Sequence, residues 1–112
     1  MRLNWFSPLP PARTGIADYT ARVLPTLRGR ADLVVWTDQK AWDPKLEDVA
    51  EVRHYDLERM PWMELNRGDM SIYHMGNDPA FHGNLWQVSR RHPGVMVLHD
   101  LCLQGLFAGL YR

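Results

Sequence analysis

Five short apolar runs, separated by stretches of helical periodicity, leave this chain few folds to choose from. The runs are Arg2 to Phe6 (RLNWF), Asp32 to Trp36 (DLVVW), Val52 to Tyr55 (VRHY), Met70 to His74 (MSIYH) and Val95 to Leu98 (VMVL). Each has the length of a strand, and alternation of such runs with helices is the signature of a parallel sheet covered by helices. Ile16, Tyr19, Val23, Leu24 and Leu27 fall at offsets of 3, 7, 8 and 11, which is one face of an α-helix. Gly29 can end that helix. Pro25 lies inside it without an amide donor, so the last turn is expected to be kinked, irregular or absent. The polar segment before Val52 is only weakly helical, and Met60 to Leu65 has room for one helical turn before Asn66-Arg67-Gly68-Asp69 stops it. Asp78-Pro79 is a good helix start, with the carboxylate as N-cap and proline at the first helical position. Phe81, Leu85, Val88 and His92 continue one face up to Pro93-Gly94. The unbroken apolar VMVL predicts a strand covered on both sides. Asp100 is then placed to cap a last helix whose buried face is Leu103, Leu106, Phe107 and Leu110.

The order is thus roughly β-α-β-(α)-β-(α)-β-α-β-α, and right-handed crossovers favour a doubly wound, Rossmann-like sheet of strand order 3-2-1-4-5. A chain of 112 residues fits one such domain, burying roughly two thirds of the surface its unfolded form exposes. In that topology the strand order reverses between the first and fourth strands, and ligands bind beyond the carboxyl ends of the strands there. Three loops crowd that crevice: SPLPPARTGIADY after the first strand, HMGND after the fourth and HDLCL after the fifth.

Charge and composition exclude several function classes. Thirteen basic residues balance thirteen acidic ones, so no net field draws the chain toward nucleic acid or anionic lipid. The single cysteine, Cys102, can form neither an internal disulfide nor a thiolate cluster, and its apolar surroundings suit an inert core residue in a reducing compartment. MRLNWFSPLP lacks the apolar core of a signal peptide, and no stretch approaches the length of a membrane span. The chain therefore reads as cytoplasmic, and a full-length protein peripheral to the inner membrane is compatible with it.

In the first loop, Pro8, Pro10 and Pro11 fix φ and hold their predecessors extended, so the loop is stiff. Gly15 then lets a ligand approach backbone amides at a helix N-terminus, a natural phosphate site. A tight βα turn would account for the same residues, and neither GxGxxG nor GxxxxGKS/T is present. His99 ends a strand and can donate to a sugar hydroxyl or phosphate or shuttle a proton near neutral pH, or simply bond a neighbouring backbone group. His74 and Asn77 flank Met75-Gly76, where glycine gives backbone access and asparagine both donor and acceptor; a structural turn is the rival reading. His54, His82 and His92 read as solvated or packed, on an edge strand or helix surface. No histidine pair has HExxH spacing, and Ser7, Ser71 and Ser89 lack a GxSxG context, so neither zinc nor serine chemistry is indicated. The five tryptophans read as core or interface residues before sugar platforms, and only loop tryptophans such as Trp42 keep the second role open.

With SPLPPARTGIADYTARVLPTL, YHMGNDPAFHGNLWQVSRRHPGVMVLHD and LCLQGLF laid in order, the chain resembles the N-terminal part of a bacterial family 4 glycosyltransferase, a GT-B enzyme; about 60 of 112 residues lie in these motifs. The resemblance implies two Rossmann-like domains facing a cleft. The N-terminal one mainly holds a glycan or lipid-linked acceptor and the C-terminal one a nucleotide-sugar donor, with transfer by retention and neither cofactor nor metal. By that resemblance His99 contacts the transferred sugar and aids the transition state, and Gly15, His99 and Asp100 lie on the donor side. Asp18, Tyr19, His74, Gly76 and Asn77 lie on the acceptor side, and the prolines form a wall of the cleft.

Two departures from the family stand out. Relatives often carry a second histidine near position 104, where this chain has Gln104, and the 112 residues lack the donor-binding domain with its E-x(7)-E-type motif. Residues 1–112 are thus expected to be a single partial N-terminal domain that does not catalyse transfer alone. Its unfinished sheet is expected to expose Leu103, Leu106, Phe107 and Leu110 and to favour a homodimer or domain swap. The rival class is a non-catalytic, flavodoxin-like binding or interaction module. A receiver domain is disfavoured because the first loop lacks an acidic cluster and HDLCL a lysine. A His/Asp metal hydrolase would have only His74 and His99-Asp100 to converge.

Overall fold

All five runs enter one sheet. The computed structural model describes residues 1–99 and 103–111, and places β1 at Arg2–Phe6, β2 at Asp32–Thr37, β3 at Glu51–His54, β4 at Met70–Met75 and β5 at Val95–Leu98. The strands are all parallel, in the order β3-β2-β1-β4-β5. The helices are α1 (Gly15–Leu27), α2 (Trp62–Asn66), α3 (Pro79–Arg91) and α4 (Gln104–Leu110), with short 3-10 turns at Pro44–Asp48 and Leu57–Arg59. This is the doubly wound, Rossmann-like α/β fold expected from the alternation.

Side chains alternate across the sheet as the two-residue strand period requires. Trp5, Leu33 and Val35 pack to one side with Leu24 of α1, Leu9 and Leu46. Phe6, Val34, Trp36, Tyr73 and Met75 pack to the other with Leu65 of α2, Leu85 and Val88 of α3, and Leu106 of α4. The register places Trp5 between Val35 and Ile72, and Phe6 between Trp36 and Tyr73. Apolar rows therefore run unbroken across the three central strands. Each large side chain fully buried there contributes about 1.5–3 kcal/mol. Asn4 is the polar exception: its amide donates to the Leu65 carbonyl (2.9 Å) and the Ser71 hydroxyl (3.2 Å) and accepts from the Trp36 indole (2.9 Å), joining β1, β2 and β4 to the end of α2.

Four expectations are corrected. First, the last turn of α1 is not absent: the helix continues over Pro25 to Leu27. A proline three residues from the end forfeits a single intrahelical bond, the packing of Val23, Leu24 and Leu27 outweighs that loss, and the Thr26 hydroxyl donates to the Val23 carbonyl (2.6 Å). The chain then reverses at Gly29, whose φ of +83° is the left-handed conformation glycine tolerates. Second, α4 begins at Gln104 with Leu103 at its cap and no side-chain cap bond; Asp100, the expected cap, and Cys102 lie outside the described residues. Third, β5 is an edge with Val95 46% and Leu98 54% exposed, rather than a strand covered on both sides. Fourth, Leu106 is fully buried and Leu103, Phe107 and Leu110 are partly so, because α4 packs on α3 through the Trp86–Phe107 edge-to-face pair (5.0 Å) and the Trp86 indole donates to the Tyr111 hydroxyl (2.8 Å).

Candidate functional site

The loops after β1 and β4 and the end of β5 meet in a cleft of about 740 Å³ at the carboxyl edge of the sheet, beside the β1/β4 switch. Arg13, Thr14, Gly15 and Ile16 form one wall, Asn77, Asp78 and Pro79 another, and Phe81, His82 and His99 complete it. Each wall follows from local sequence. Thr14 is extended and caps α1, its hydroxyl accepting from the Ala17 amide (2.9 Å), while the Asp18 amide returns to the Thr14 carbonyl (3.3 Å). The amides of Gly15 and Ile16, in the first turn, have no carbonyl within the helix to pair with. Asp78 caps α3 through the Ala80 amide (2.9 Å) and Pro79 opens it, as the dipeptide predicts.

Beneath the cleft lies a histidine cluster. His74 sits at the end of β4 on the α1 side of the sheet, 1% exposed, with its ring 4.2 Å from that of Trp5 and 5.7 Å from that of Tyr19. Its Nδ1 is 2.9 Å from His99 Nε2, and its main-chain carbonyl is 3.1 Å from His82 Nδ1. Tyr19 closes the group edge-on against His99 at 4.9 Å. Burial pushes the His74 imidazole down to about 4, with neighbouring His99 and His82 adding to the effect, so His74 is neutral at physiological pH. Its Nε2 is buried without a hydrogen-bond partner among the described residues.

Gly76 fits a close approach. A Cβ there would stand 2.7 Å from both His82 Nε2 and Ile16 Cδ1. Asn77 has a structural duty as well as its place in the wall, because its side-chain oxygen accepts from the Leu106 amide (3.2 Å) in the first turn of α4.

Of the residues singled out in the sequence, Gly15, Asn77 and His99 line the cleft, His74 and Gly76 lie under it, and Tyr19, 39% exposed, leans on His99. Asp18 is exposed on the first turn of α1 and does not line the cleft. Asp100 lies outside the described residues. The prolines do not form the wall expected of them. Leu9 between them is fully buried, the Gln39 amide clamps its backbone by two bonds (2.8 and 2.9 Å), and the Pro10 carbonyl accepts from the Asp43 amide (2.8 Å). They anchor the loop against the segment after β2 and so carry Arg13–Ile16 to the cleft. Trp42 is partly buried in that same packing.

His82, Arg13 and Thr14 are the additions. The sequence leaves His82 either solvated or packed; it is packed, 2% exposed and turned inward. The buried face of α3 is His82, Leu85 and Val88, an i, i+3, i+6 stripe, with Phe81 beside it and His92 at the C-cap. The tight approach of Gly76 that selects this face is a tertiary contact with no local sign in the sequence. Arg13 supplies a cation at the cleft wall that only its proximity to the helix start could have suggested. Among the described residues, no group of three or more His, Cys, Asp or Glu is arranged to hold a metal ion, and no helix is long and apolar enough to cross a membrane.

Comparison of the chain with protein-family models, with curated proteins and with solved structures finds no match.

Proposed function

We propose that this chain is the acceptor-side, Rossmann-like domain of a cytoplasmic GT-B glycosyltransferase that moves a sugar from a nucleotide-sugar to a glycan or lipid-linked acceptor, with retention, in glycan or polysaccharide synthesis. The observation that carries the reading is that Gly15 and His99, 84 positions apart in the sequence, line one cleft at the switch point of the sheet. The first-turn amides of α1 and the Arg13 guanidinium offer an anionic diphosphate hydrogen bonds and opposite charge. His99 lines the same cleft, and in this reading it is the group that meets the sugar joined to that diphosphate. The second domain of such an enzyme would supply the nucleotide grip and exclude water from the reacting atoms.

Amide NMR of the ¹⁵N-labelled chain, titrated with UDP-glucose and GDP-mannose, tests the reading. Expected are millimolar-range shifts centred on Gly15, Ile16 and His99. No response at these amides to either donor, or to the free nucleotides, overturns the donor-side assignment and favours the non-catalytic binding module. In a longer protein carrying this domain, His99→Ala is expected to lower turnover on the order of a hundredfold while leaving the melting temperature nearly unchanged. Wild-type turnover in that variant would remove His99 from the chemistry.

A further inference from the structure

The carboxyl edge of the sheet holds a second pocket, of about 370 Å³, beyond the ends of β2 and β3. It shares α3 with the cleft: Phe81 and His82 line the cleft, and Asn84 lines the pocket. Asp38, in the wall after β2, is fixed from two directions. Its Oδ2 accepts from the Asn84 amide (2.8 Å), and its main-chain carbonyl accepts from His54 Nε2 (3.2 Å) at the end of β3. Oδ1 of the same carboxylate accepts from no described group. The pocket therefore has a held acceptor with bonding capacity to spare.

Tyr55 supplies the complement. It lines the pocket, is 3% exposed, and packs its ring edge-on against Phe6 at 5.7 Å, yet its hydroxyl has no hydrogen-bond partner among the described residues. Buried phenols ordinarily find one, because an unpaired O–H forfeits the bond it makes in water. Burial, and next to it the charge of Asp38, pushes this phenol up, so the proton stays on and the group is a donor at physiological pH. Three carboxylates in the lining, those of Asp38, Asp56 and Glu58, face one ammonium, that of Lys40, which disfavours an anion. A ligand ammonium would pair with Asp38 but leave the phenol proton unused. An alcohol hydroxyl donates one bond and accepts another, and so answers both groups.

We propose that this pocket is a second ligand site, one that takes a neutral saccharide by a hydroxyl that accepts from the Tyr55 phenol and donates to the Asp38 carboxylate. The polarity of the pocket is opposite to that of the cleft, where Arg13 and the first-turn amides of α1 favour an anion. The two sites thus select different chemistry on either side of α3. That the saccharide is the acceptor rests on the glycosyl-transfer reading; that the pocket reads a hydroxyl does not.

Amide NMR of the ¹⁵N-labelled chain, titrated with methyl α-D-mannopyranoside and methyl α-D-glucopyranoside, reads the site. Expected are saturable, millimolar-range shifts of Lys40, Tyr55 and the Asn84 side-chain amide with at least one glycoside, and no such response to glycerol, methylammonium or inorganic phosphate. Tyr55→Phe removes only the hydroxyl. It should weaken glycoside binding about tenfold without lowering the melting temperature. A fall of more than about 5 °C would show that the hydroxyl is already bonded within the fold, and overturns the inference. So does undiminished binding in that variant. Asp38→Asn, which keeps an oxygen for Asn84, should weaken binding as well; full affinity there removes the carboxylate from the site and overturns the proposal. A response to methylammonium or phosphate in place of the glycosides assigns a charged ligand, and an equal response to glycerol denies any saccharide selectivity; either outcome overturns it. Silence to both glycosides, with the donor shifts at Gly15 and His99 present, overturns this site and leaves glycosyl transfer standing. Glycoside binding here with no donor response at the cleft supports the saccharide site and removes its assignment to the acceptor.

Discussion

At the scale of single residues, two buried polar side chains do opposite things to stability. Asn4 is fully buried and spends its amide on three partners in β2, β4 and the end of α2. Asn4→Leu fills the space but leaves the Trp36 indole N–H and the Leu65 carbonyl without that partner. A loss of about 2–4 kcal/mol is expected, measured by urea denaturation; a change under about 0.5 kcal/mol would show that the network contributes nothing. His74 acts through pH. Its folded-state value of about 4 lies below the ordinary 6.5, so the unfolded chain binds the extra proton first and stability falls as pH drops from about 6.5 toward 4. The described neighbours of the ring are His99, His82, Tyr19 and Trp5. The chain should be about 2 kcal/mol less stable at pH 5 than at pH 7.5, with most of that slope absent in His74→Asn. An equal slope in the variant would assign the titration to other groups.

At the scale of elements, the βα turns decide what the cleft looks like. Thr14→Ala removes the hydroxyl that caps α1 and should cost about 1 kcal/mol, seen as a lower urea midpoint. Gly76→Ala is a sharper probe. The added methyl would press on the His82 ring and on Ile16, and both must move together because α1 and α3 flank the same strand end. A cost of about 1–3 kcal/mol is expected, with altered imidazole resonances of His82. Unchanged stability and unchanged resonances would show that the approach is loose. These elements also show what the sequence could and could not tell. Strand positions were legible to within a residue or two, because apolar runs of this length between Gly, Pro and Asp have few other uses. The Asp78-Pro79 start was legible because capping is local chemistry. The inward turn of His82 was not, since 81, 85, 88 and 92 make as good a helical stripe as 82, 85 and 88, and only the tertiary position of Gly76 chooses between them. Asn4 stayed hidden as well: an asparagine inside RLNWF gives no local sign of partners more than sixty positions away. Pro25 misled because a helix-breaking rule that holds in helix interiors weakens in a last turn pinned by packing.

At the scale of the whole molecule, the two edges of the sheet are built differently. On β3, Arg53 pairs with Glu51 (3.2 Å) and with Glu64, and charges of this kind discourage a further strand from adding. On β5 the edge is VMVL, with Val95 and Leu98 about half exposed and no charged side chain in the strand. An unguarded apolar edge at one side of a sheet guarded at the other is where the self-association expected from the sequence would form. The earlier expectation placed the exposed surface on α4, but the packing of α4 on α3 moves it to β5. Light scattering at increasing concentration then has a definite outcome. The mass should rise above the 13.1 kDa of one chain, and Val95→Lys or Leu98→Lys should restore the single-chain mass by placing a charge on the edge. A substitution at the exposed Tyr111, such as Tyr111→Lys, makes the control. If it alone abolishes association, the contact runs through the end of α4 and not through the sheet edge. A mass of one chain at all concentrations rejects self-association on either surface.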